Sequence, residues 1–212
     1  MKQDSSIALF RYWNRLREGR AAPRRVDIEP ADIKTLLADT FILERDTRGG
    51  AVFRLAGTRL CAIYGRELKG FSFPSLWREK DRRLIARIAE GVFMQKSVSV
   101  MTFTATSTGG RTHNFEVLIL PLEGGTENPR ALGIVATETK AFWLGADPVV
   151  DASIDSVRVV DPDREPMFLG NRPEIRLPDV PADLPAFVER RRQSDAGRRI
   201  RHLVVLEGGR ED

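Results

Sequence analysis

The chain has 212 residues, with 34 Lys plus Arg against 30 Asp plus Glu, two His, one Cys and 42% hydrophobic residues. That apolar share supports a core of ordinary size, and the length fits one domain plus an extension. A single cysteine excludes an intramolecular disulfide, two histidines leave no Cys/His cluster for structural zinc, and no stretch approaches the roughly 20 apolar residues of a membrane helix; these features lead us to expect a soluble protein of the reducing cytoplasm with no membrane span. The N-terminal MKQDSSIALFRYWNRLREGR is broken by charge where a signal peptide would be continuously apolar.

The net charge of +4 is uneven. Residues 1–25 carry seven basic and two acidic groups, residues 187–201 carry six Arg and two acidic groups, and the remainder is therefore −5. Basic ends on amphipathic segments mark solvated faces or protein contacts more often than a nucleic-acid surface. No helix-turn-helix, zinc-finger or RNA-binding signature accompanies them, so a nucleic-acid-associated regulator acting through its basic termini is only the third reading.

In chain order, Ile7, Phe10, Trp13 and Leu16 recur every three residues and predict an amphipathic helix over 7–17, stopped around Gly19. Pro30 suits the first turn of a short helix over 30–38. Two strand-like runs follow, Thr40–Arg45 and Ala51–Ala56, joined by a turn at DTRGG, with Phe53 and Leu55 expected on one face and Arg54 on the other. The middle is helix-biased: TRLCAIYG, GFSFPSLW, then a longer helix from about Glu79 to Phe93 with Leu84, Ile85, Ile88, Ala89 and Val92 buried and Asp81 near its start. Three more strands are expected at 97–107, 113–122 and 131–139. In the second of these, Phe115, Val117 and Ile119 alternate with Leu118 and Leu120, so both faces are apolar and both need a cover.

Seven of the twelve prolines lie between Pro148 and Pro185, where they would interrupt a long helix or a central strand. The compact domain is therefore expected to end near residue 145. Beyond it, PADLPAFVERRRQ reads as a short helix, and DSVRVVD and RHLVVLE could each add a short strand. The expected fold class is α+β: a five-stranded antiparallel sheet with helices on one face, an N-terminal amphipathic helix over the other, and a Pro-rich C-terminal extension.

The stretch Gly65-Arg-Glu-Leu-Lys-Gly-Phe-Ser-Phe-Pro-Ser-Leu-Trp77, followed by Asp81, resembles the signature of PAS sensory domains, in which a Glu-Leu-x-Gly turn precedes short helices and an acidic residue opens the long one. RYWNRLREGRAAPRRVDIEP, FRLAGTRLCAIYGRELKG, LILPL and LGIV are similar to a PAS-like family of short alphaproteobacterial proteins, over roughly residues 8 to 140. Residue patterns and resemblance together divide the chain into a helical cap over 1–38, a PAS-like domain over 39–145 and a Pro-rich and Arg-rich extension over 146–212, and the resemblance implies a sensory or regulatory role. It also implies where a small apolar ligand would sit, between the inner sheet face and the middle helices, with Phe53, Leu55, Cys61, Trp77, Phe93, Phe103 and Phe115 as the candidate lining. Side chains this large can equally fill the core.

The remaining chemistry-bearing residues point away from catalysis. Cys61 stands in Leu60-Cys61-Ala62-Ile63 rather than the Asn-Cys-Arg-Phe-like context of a flavin photoreceptor, and reads as an ordinary buried thiol. No histidine lies on the long helix, where haem-binding PAS domains place theirs; His113 opens a strand and His202 is isolated. Arg20 and Arg24 fit one half of a cyclic-di-GMP-binding pattern, but Ser156 replaces the glycine of the other half, and Arg24, Arg25 and Asp27 read better as polar anchors of a linker. No enzyme motif or metal-ligand spacing is present, so no catalytic residue, metal or cofactor is expected. The expectation is a non-catalytic sensory or regulatory adaptor that contacts other proteins, forming a homodimer in which Ile7, Phe10, Trp13 and Leu16 pack on the chain's own sheet or a partner's; a sensor of a non-covalently held small ligand is the alternative.

Overall fold

The computed structural model describes residues 1–124, 129–163, 199–200 and 203–204. The chain divides into two compact units, Met1–Arg172 and Pro173–Asp212. In the first, α1 (Asp4–Arg17) leads through short 3-10 turns at Arg25–Asp27, Pro30–Ile33 and Leu37–Asp39 to the hairpin β1 (Thr40–Arg45) and β2 (Ala51–Ala56). Then come α2 (Thr58–Ile63), a 3-10 turn at Phe73–Leu76, α3 (Glu79–Gln95), β3 (Val98–Ser107), β4 (Thr112–Leu122), β5 (Arg130–Ala136) and β6 (Val149–Val160). The six strands form one antiparallel sheet in the order β2-β1-β5-β4-β3-β6.

The α+β class and the two covered faces match the expectation, with corrections. A sixth strand joins the five expected: β6 pairs with β3 along its length, so the sheet continues past residue 145. Pro148 and Pro162 flank this strand without entering it, which is where a strand tolerates proline. The helix expected over 30–38 is two 3-10 turns, and β5 stops at Ala136. Leu84, expected to be buried, is 44% exposed.

Alternation sorts the strands between two cores. On the inner face Phe41, Leu43, Phe53, Met101, Phe103, Phe115, Val117 and Ile119 pack with Ile85, Ala89, Val92 and Phe93 of α3. On the outer face Val98, Val100, Leu118, Leu120, Leu122, Leu132 and Ile134 pack with Leu9, Phe10, Tyr12 and Trp13 of α1. Both sheet edges are partly closed by hydrogen bonds from within the chain, which blunts them as templates for pairing. At β2, the Phe53 amide donates to Phe71 O (2.9 Å) and the Gly70 amide to Phe53 O (2.7 Å). At β6, the Arg78 amide donates to Ala152 O (2.9 Å), and Asp81 Oδ2 accepts from the Ile154 amide (3.2 Å). The acidic residue at the start of α3 thus fixes that helix to the sheet edge.

In the second unit β7 (Arg199–Ile200) and β8 (Leu203–Val204) form a two-stranded antiparallel ladder, Arg199 opposite Val204 and Ile200 opposite Leu203. The helix expected over PADLPAFVERRRQ lies outside the described residues.

Candidate functional site

The space in which a PAS-type ligand would sit is bounded by the inner face of β1–β5 and the segment from α2 to α3. Aromatic side chains run through it in contact: Phe41–Phe53 at 5.6 Å between ring centroids, Phe53–Phe73 at 5.6 Å, Phe73–Trp77 at 6.0 Å, Trp77–Phe103 at 4.8 Å and Phe103–Phe115 at 5.3 Å. Most are edge-to-face, the arrangement ring quadrupoles favour. What remains is a void of about 10 Å³, room for about one water. Among the described residues the buried Trp77 Nε1, in the wall of this void, has no hydrogen-bond partner.

Of the seven residues expected to line a pocket, Phe53, Trp77 and Phe103 do border the void. Phe93 and Phe115 are buried in the same cluster without reaching it, and Cys61 is half-buried at its margin. Leu55 is 51% exposed and faces away. A β-bulge is the cause: Leu43 pairs with Phe53 but Ile42 pairs with Leu55, so Arg54 is the extra residue and the alternation after it is reversed. Phe41, Tyr64 and Phe73 line the void as well, with four aliphatic side chains, and are not among the residues the sequence singles out, although alternation in Thr40–Arg45 places Phe41 beside Leu43 on one face.

Burial pushes the Cys61 thiol up, with Glu67 beside it adding to the effect. That is the opposite of the lowered pKa a reactive thiol needs. Burial likewise raises the Tyr64 phenol. His113 lies inward at the start of β4, its Nε2 2.6 Å from Thr137 Oγ1 and its ring edge-on to Phe115 (5.0 Å) and Trp143 (6.2 Å). Among the described residues no group of three or more His, Cys, Asp or Glu is arranged to hold a metal ion.

The other candidate surface, the apolar face of α1, is spent on the chain's own sheet. Trp13 is fully buried and its Nε1 donates to Pro121 O at 2.7 Å; Phe10 is 5% exposed, and Ile7 and Leu16 are half-buried beside them. Polar contacts lock the helix in place. The buried Glu116 carboxylate accepts from the Lys2 amide (2.7 Å) and the Gln3 amide (3.3 Å), an anion at a helix N-terminus. Tyr12 Oη accepts from the Glu29 amide at 2.8 Å, fixing the linker. Arg20 and Arg24 both bind Asp27, whose carboxyl the Arg24 guanidinium holds below the ordinary range; of the three anchors expected, Arg24 and Asp27 thus tie the linker through their side chains with Arg20 joining them, while Arg25 is tied by its backbone amide, which donates to Glu123 O at 2.9 Å. Arg17, also buried, pairs with Asp163. Three of the N-terminal arginines, Arg17, Arg20 and Arg24, therefore have acidic partners within the chain. The Arg-rich segment over 187–201 lies outside the described residues except for the two strand positions, 199 and 200.

A PAS domain family model matches residues 1–136, from the start of α1 to the end of β5. None of the curated proteins compared with the chain matches it. Among the described residues no helix is long and apolar enough to cross a membrane. With a model match over more than half of its length, the chain belongs to the PAS domain family, which serves sensory and signalling roles in general.

Proposed function

We propose that this PAS domain is a non-catalytic adaptor of the cytoplasm that works by contacting other proteins, with its interior serving as a packed scaffold. The observation that carries the reading is the inner void of about 10 Å³, against the several hundred Å³ of a ligand pocket. A dimer, if the adaptor forms one, draws on surfaces other than Phe10 and Trp13, since these are buried against the chain's own sheet. The exposed outer side of α3 offers apolar Leu84 and Met94 (44% and 60% exposed) beside exposed Arg83 and Arg87, a composition suited to a protein contact. The test is crosslinking of the full chain in its own cells followed by mass spectrometry. A partner recovered in yield comparable to the chain, either a second copy or another protein, supports the reading; recovery of the chain alone overturns it.

A further inference from the structure

Outside the packed interior, a groove of about 430 Å³ opens between α2, the segment before β1, the end of β5 and the 140–145 turn. Its size falls in the range of small-molecule sites, some forty times that of the inner void. Its apolar part is made by Ile63, Phe115, Val135 and Leu144. In the 140–145 turn Gly145 takes a left-handed φ of +91°, the conformation that calls for glycine there.

The polar rim has an uneven charge. Arg59 is paired with Asp39, so the two cancel. Lys140 also borders the groove and, among the described residues, has no acidic partner, leaving one positive charge. The hydroxyls of Ser5 and Thr35 border it too and make no hydrogen bond to a described residue. An apolar floor, one uncompensated cation and unengaged hydroxyls are complementary to a small molecule with an apolar body and a single negative charge.

We propose that this groove binds a small amphipathic monocarboxylate, its apolar body on Ile63, Phe115 and Leu144 and its carboxylate met by Lys140. A doubly charged phosphoryl group fits less well, because the Arg59 guanidinium that would share its charge is already engaged by Asp39. The groove borders the packed interior, with Val135 between it and the inner void, and the proposal is independent of the adaptor reading: an adaptor with no small ligand and one modulated through this groove give the same crosslinked partner.

The test is a titration of the isotopically labelled full chain with octanoate, followed by amide NMR, with 1-octanol as the uncharged control. Saturable shifts centred on residues 59–63 and 135–145, with octanol and Lys140→Gln each weaker by about tenfold, are expected, since a charge-assisted hydrogen bond is lost in both cases. Ala141→Trp, which places a large ring in the groove, should abolish the shifts; Lys140→Gln, at an exposed position, tests the charge even if the bulkier variant disturbs the fold. No saturable shift up to the solubility limit, equal binding of octanol and octanoate, or shifts centred on Phe53 and Trp77 would each overturn the proposal. Absence of octanoate binding leaves the adaptor reading standing, and recovery of the chain alone in the crosslinking experiment leaves this one standing.

Discussion

The indole N–H of Trp13 donates to the carbonyl of Pro121 at 2.7 Å, joining the middle of the first helix to the fourth strand. Pro121 is the one β4 position that brings no N–H to the ladder, and the helix takes up its carbonyl from the outer side of the sheet. Replacing the indole leaves a buried acceptor unpaired: Trp13→Phe should cost about 1–3 kcal/mol, and Trp13→Ala about 3–5 kcal/mol through the cavity it opens. Urea denaturation gives both values, and light scattering on the same samples should show the oligomeric state of the parent chain. A changed oligomeric state with unchanged stability would mean that the helix belongs on a partner's sheet.

Glu116 supports the same helix from its other end. It is 3% exposed, and its carboxylate accepts from the Lys2 and Gln3 amides. Glu116→Ala removes both acceptors at the helix start and should cost about 1.5–3 kcal/mol, as expected for hydrogen bonds to a charged group. Hydrogen exchange should show loss of protection over the first turns of α1, with the β3–β4 ladder less affected.

Gly133 lies opposite Phe41 in the β1–β5 register, and a Cβ there would fall 2.1 Å from Phe41 Cζ. Phe41 is fully buried and in ring contact with Phe53 and Phe73, so it has little room to swing aside. Gly133→Ala should therefore destabilise by about 1–3 kcal/mol, and Phe41→Leu in the same chain should recover part of that loss. A double-mutant cycle by thermal denaturation measures the coupling; additive effects would show that the ring does not rest on the glycine.

Asp147 ties the segment before β6 to the β3–β4 turn. The Ser107 hydroxyl donates to it at 2.7 Å and the Gly109 amide at 3.0 Å, with Arg111 nearby, and these interactions hold its carboxyl below the ordinary value. A group whose pKa is lower in the folded state stabilises above its unfolded value, about 3.9 for aspartate, and that contribution disappears as pH falls through the lower folded value. The stability gap between the parent chain and Asp147→Asn should accordingly be widest near neutrality and close as pH falls below about 4. A gap constant down to pH 2 would show that the carboxylate's charge is not what the loop uses.

Where residue patterns are local, the sequence was informative. The bounds of β1 and β2, the turn between them, the start of α3 and both apolar faces of β4 follow from alternation, helical spacing and Gly-rich turns. Three features depend on contacts that no local pattern encodes. The bulge at Arg54, which turns Leu55 out of the core, is a property of the β1–β2 register. Of the sixth strand, DSVRVVD showed only the second half; its start at Val149 lies directly after Pro148, and the prolines mark the strand's ends rather than interrupt it. The packing of the interior depends on Phe41, Tyr64 and Phe73 meeting Trp77 and Phe103 from separate elements. The Lys140 groove joins residues of α1, the segment before β1, α2, β4 and the stretch 135–145, and of its lining only Phe115 was a candidate from the sequence.

The interior of this PAS domain is packed rather than occupied, with a void of about 10 Å³ among its aromatic rings. Native mass spectrometry of the freshly purified full chain tests it most directly. The expected result is the mass of the polypeptide alone, or a simple multiple of it; a further stoichiometric mass that survives dialysis, is released on unfolding and persists in Ala141→Trp, whose outer groove is filled, would show the interior to be occupied.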